Sequence, residues 1–148
     1  MASRRTQGRS DGQALVEFAL LLPVLLFLLV GLVDVGRAYY AEMVALNAAW
    51  AGARVGADYA KSDGDVADAV NKAAAPYVPT SVLVTTLPAN ASTDTPCTSG
   101  TAGPRGADDR GKRICVRVTL QHAVWTPLVS GWLGNTLTVR RSAQMVIQ

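Results

Sequence analysis

Catalytic groups are scarce in this chain of 148 residues. It holds one histidine, two cysteines and two phenylalanines, and 17% of its residues are charged. The lone His122 lies in a strand-like run with no acid or nucleophile at a recognisable spacing. No zinc-ligand cluster, phosphate-binding loop or nucleophile elbow is present in the sequence. These absences argue against an enzyme and against a bound cofactor or metal. Asp63-Gly64-Asp65 faintly matches the start of a calcium loop, but the further ligands and the distal glutamate are missing, and a helix cap explains it better. The formal net charge of +3 includes Arg4, Arg5 and Arg9 against Asp11, and without residues 1–12 it falls to +1. No basic patch with interleaved aromatics accompanies that charge, so nucleic-acid binding is not indicated.

Apolar sequence, by contrast, is concentrated. The mean hydropathy is +0.20 with 49% hydrophobic residues. Much of that excess lies in the run GQALVEFALLLPVLLFLLVGLV, residues 12–33. With Ala14 to Val16 included, the run reaches the roughly 20 residues that cross a hydrocarbon core. Glu17 is its one acid. A carboxylate costs roughly 2.5–3.5 kcal/mol at the centre of an inserted helix and less near an interface, so a plain anchor has no use for it. The preceding arginines favour a cytoplasmic N-terminus, which sends the rest of the chain outward.

Helical character continues from Ala14 to about Tyr59, with a kink expected at Pro23. Asp34 and Arg37 are spaced to pair across one turn. In AEMVALNAAWAGARVGA, residues 41–57, the small residues Ala48, Gly52 and Gly56 recur every fourth position and share a face. Such a face admits close approach of another element, either the chain's own domain or another subunit. The neighbouring stripe of Leu46, Trp50 and Ala53 is expected to receive the globular domain.

The remainder reads as a small α+β domain. Asp63 or Asp65 is placed to cap a short helix that Pro76 and Pro79 end. Strand patterns follow at Ser81 to Leu87, Arg113 to Trp125 and Thr136 to Ile147. In the second, Ile114, Val116, Val118 and Leu120 share one face. In the third, Leu137, Val139, Ala143, Met145 and Ile147 do so, with Arg141 falling among them at an edge or snorkelling out. An antiparallel sheet with one wet face and one helix-covered face is expected. Residues 88–112 form a long surface loop with Asp108-Asp109-Arg110 as its solvated tip. Between the last two strands Thr126-Pro127 starts a short turn that Gly134 closes, with Trp125 and Trp132 packed together there. Outside the cytoplasm Cys97 and Cys115 can pair, and two free thiols are the alternative.

The segment GQALVEFALLLPVLLFLLVGLVDVGRAYY, with its Gly12, Glu17-Phe18, Leu22-Pro23 and Asp34-Val35-Gly36-Arg37, resembles the TadE-like family of tight-adherence, Flp-type pilus systems. The Ala-rich helix after it adds to the likeness, which covers residues 12 to about 57. Beyond residue 60 the resemblance is architectural only. It implies a minor pilin or pseudopilin needed for pilus assembly. A prepilin peptidase would cut between Gly12 and Gln13, and Glu17 would be the fifth mature residue. Glu17, with Phe18 beside it, would pair with a neighbour's new N-terminal amine or set the docking register. Three parts follow: a cytoplasmic leader at 1–12, the transmembrane half of the helix at 13–36, and an extracytoplasmic domain at 37–148. Other pilins or pseudopilins, the peptidase, the membrane assembly platform and lipid are the implied partners of this single-pass protein. Two other readings use the same residues: an unprocessed single-pass anchor for an extracytoplasmic binding domain, and a secreted domain cut near Ala38 to Ala41.

Overall fold

The computed structural model describes residues 10–101, 103–124, 131 and 134–148. Its first element, α1, is a single α-helix over Ser10–Gly56 that runs through Pro23. Its 47 residues extend about 70 Å at 1.5 Å per residue. It starts earlier than Ala14 and stops short of Tyr59.

A second helix, α2 (Asp63–Ala74), is entered through Ser62. The Ser62 hydroxyl accepts from Asp65 N at 3.2 Å, and Asp65 Oδ2 accepts from Ser62 N at 2.9 Å. This reciprocal capping box satisfies two end amides at once. The cap is therefore Ser62 and neither of the two aspartates expected to cap the helix. Asp65 is its third-residue partner, while Asp63 pairs with Arg105. Both carboxylates of the calcium-like triplet are thus otherwise engaged.

Three strands form an antiparallel sheet in the order β1-β2-β3: β1 Ser81–Leu87, β2 Arg113–Ala123 and β3 Thr136–Val146. Ser81 lies opposite Thr119 and Leu87 opposite Arg113, while Arg113 lies opposite Val146 and Ala123 opposite Thr136. The expected α+β architecture is the observed one. The last two strands are slightly shorter than their apolar patterns, and Trp125 and Trp132 with their turn fall outside the described residues.

The core lies between the two helices and the inner sheet face. Ile114, Val116, Val118 and Leu120 of β2 are fully buried, as is the alanine face Ala45, Ala48, Ala49 and Ala53 of α1. Val66, Val70 and Ala74, spaced by four, close it from α2. Burying each large aliphatic contributes about 1.5–3 kcal/mol. The bulk comes from the sheet and α2, and α1 supplies small residues that let its backbone approach.

The long loop is held down at several points. Cys97 and Cys115 form a disulfide. Thr86 N donates to Thr101 O at 2.8 Å and Thr101 N returns to Thr86 O at 2.9 Å, which covers the outer edge of β1. Arg105, with its side chain 1% exposed, pairs with Asp63 and donates to Lys61 O at 2.6 Å. The expected solvated tip is more engaged than its polarity implied. Asp109 accepts from Lys112 Nζ at 2.8 Å, and Arg110 donates to the Tyr59 hydroxyl at 2.6 Å.

Candidate functional site

The features that resemble a processing and docking site sit on the free half of α1. Gly12, Gln13, Glu17 and Phe18 are all exposed, and no described part of the domain covers them. Phe18, Leu21, Leu25, Leu28 and Leu32 are likewise open on every side. The helix is long and apolar enough to cross a membrane, and the window that qualifies is not buried within the chain. A surface this apolar demands lipid or protein cover. Among the described residues Glu17 has one close polar partner, Gln13, whose Nε2 donates across one helical turn at 3.4 Å. The bond is too long to neutralise a carboxylate in an apolar medium. Among the described residues no cation pairs with Glu17.

The second half of α1 is partnered. Ala48, Gly52 and Gly56 are buried against the chain's own domain. A Cβ on Gly52 would come within 2.5 Å of Val70 Cγ2, 3.1 Å of Val116 Cγ1 and 3.3 Å of Val66 Cγ1. One on Gly56 would overlap Ile114. The close approach that these small residues permit is already used by α2 and β2, so this face is closed to another subunit.

The stripe expected to receive the domain divides. Ala53 is buried, Leu46 is half-buried, and Trp50 is 42% exposed on the far side of the helix. Tyr39 and Met43 are exposed along the same line. These residues extend the apolar surface of the free half-helix past Gly36. Sequence spacing alone put Trp50 inward because an indole counts as core, whereas the alanines won the inward face by fitting closer to the sheet.

Residues 12–54 match the family model of TadE-like proteins. The TadE-like segment thus contains the apolar half-helix, Glu17 and most of the small-residue face, and it ends just before α1 does. No curated protein and no solved structure matches the chain.

Three contacts around the TadE-like segment were not legible beforehand. Asp34 is buried on the domain side of the helix, at 9% exposure. Near it, at the end of the sheet, His122 is buried and stacks edge-on to Tyr77 at 6.2 Å between centroids. Tyr77 in turn meets Tyr40 of α1 at 6.2 Å. Arg141 forms an ion pair with Glu42 of α1, both side chains about two-fifths exposed. That pairing explains the arginine on the apolar face of β3: an edge strand lets it reach the helix.

Proposed function

We propose that this chain is a minor pilin or pseudopilin of a Tad, Flp-type pilus system and has no catalytic activity of its own. In this reading it is made as a prepilin with its N-terminus in the cytoplasm. A membrane prepilin peptidase cuts between Gly12 and Gln13, removing residues 1–12. Residues 13–36 then hold it in the membrane, and residues 37–148 lie outside the cytoplasm until assembly with other pilins at the platform.

One observation carries the reading: the stretch of α1 around Gly12 and Glu17 is exposed, uncovered by the described domain, and lies in the segment matched to TadE-like proteins. A carboxylate in an apolar helix is retained where an opposite charge meets it. The amine freed at Gln13 of a neighbouring subunit is such a charge. With the small-residue face closed, the line of Tyr39, Met43 and Trp50 is the side of α1 left for other subunits.

The test is the mass and N-terminal sequence of the protein recovered from its native membrane fraction. A chain beginning at Gln13 supports processing. A chain beginning at Met1 removes the prepilin reading and leaves an uncleaved anchor with an extracytoplasmic domain.

A further inference from the structure

The domain is not carried clear of the apolar helix on a stalk. Gly31, Asp34, Val35 and Ala38 of α1 line one cavity, of about 160 Å³, together with His122, Val124 and Leu137 at the end of the sheet. Ala14 to Val33 rises about 30 Å, the thickness of a hydrocarbon core. Gly31 lies inside that span, so the sheet end that shares this cavity with it stands beside the last turn of the span. From this overlap we infer that the domain is itself a membrane-surface module: its sheet end is set into the headgroup and acyl boundary of the bilayer that α1 crosses.

The side chains at that level suit such a boundary. Tyr39 and Tyr40 are exposed on α1, and Tyr77 packs on Tyr40. Val78 is 86% exposed. The register Ser81 opposite Thr119, continued by Thr80 N donating to Thr119 O at 2.8 Å, carries Val78 toward the level of His122. Tyrosine, apolar in body and polar at its tip, concentrates at membrane–water interfaces. Charged groups at this level are few. Asp34 is buried on the domain side and Arg37 is half-buried. The opposite end of the domain is different: Asp58, Lys61, Asp65, Asp108 and Arg110 are all exposed there. That polarity orients the module, apolar and aromatic end down, charged end in water.

This inference rests on the membrane anchoring in the reading above and not on cleavage after Gly12. It is tested with the full chain in lipid nanodiscs holding one chain each, so that no second copy covers the same residues. Single cysteines are added at Leu28→Cys, Val78→Cys, Thr136→Cys and Asp108→Cys, and each carries a fluorophore. The native cysteines stay paired. Quenching by brominated lipid is then read at each position. Strong quenching at 28, with quenching at 78 and 136 several-fold above that at 108, is the expected result. Quenching at 28 with values at 78 and 136 no higher than at 108 overturns the inference and leaves the anchor standing. Absence of quenching at 28 as well removes the anchor, and the inference falls with it.

Discussion

Gly52 of α1 and Val70 of α2 meet so closely that a Cβ on the glycine would stand 2.5 Å from Val70 Cγ2. Glycine inside a helix costs about 1 kcal/mol relative to alanine. It is retained here because anything larger pushes α2 off the core. Gly52→Ala is expected to gain that helical propensity and lose more to overpacking, typically 1–3 kcal/mol. Val70→Ala in the same chain should relieve the clash, so the pair couples favourably by roughly 0.5–3 kcal/mol in a double-mutant cycle. Denaturant unfolding followed by circular dichroism measures it. Additive effects of the two substitutions would show that the helices are free to shift apart.

The disulfide joins residues 18 apart and closes one end of the long loop. Replacing Cys97 and Cys115 together by alanine should lower stability by about 3 kcal/mol in the chain-entropy account. It should also loosen the contacts of Gln144, whose Nε2 donates to Thr95 O at 2.8 Å and Thr93 O at 3.1 Å. Comparison of denaturation midpoints under non-reducing conditions checks the first expectation. A loss well under 1 kcal/mol would mean that Arg105 and the Thr86–Thr101 bridge hold the loop without help.

Asp65 is held below the ordinary carboxylate range, first by the hydrogen bond from Ser62 N and then by the Ser62 hydroxyl. A lowered folded value stabilises the protein above the unfolded value, and that contribution disappears as pH falls through the folded one. Amide protection in α2 should therefore weaken in acid below the ordinary carboxylate range. Ser62→Ala removes the hydroxyl's share of the capping box, and its α2 should lose less protection over the same interval. Hydrogen exchange across that pH interval reads the difference, and identical profiles would exclude the capping box as the source.

Glu17→Ala should insert in membranes at least as well as the natural chain, because a costly carboxylate is gone. Pilus assembly in the same strain should fail or fall sharply, and normal piliation would remove the assembly role given to Glu17. Gly12→Leu tests the other end of the proposal. It should leave the chain uncleaved and visibly larger on a gel than the processed protein.

The sheet was legible for a simple reason. The twofold alternation of Ile114, Val116, Val118 and Leu120 has one solution once a helix covers one face, and all four are buried. The ends of the elements were less so. The N-cap at Ser62 competed with two aspartates equally suited to the role, and only the backbone geometry chose among them. The loop tip is exposed at Asp108 and Arg110 as its polarity implies, but composition reports polarity and not partners: Arg110 also lies 4.4 Å over the Tyr59 ring.

What the sequence by itself determined is the division of α1: an almost wholly apolar first half, and a second half with small residues every fourth position. Hydrophobicity and helical period are local properties, so they survive without coordinates. Only the tertiary structure decided what the small residues meet, which way Trp50 turns, and how far up α1 the domain reaches. Those depend on the volumes of Val66, Val70, Ile114 and Val116 packed together, side chains far apart in the chain whose fit no periodicity encodes.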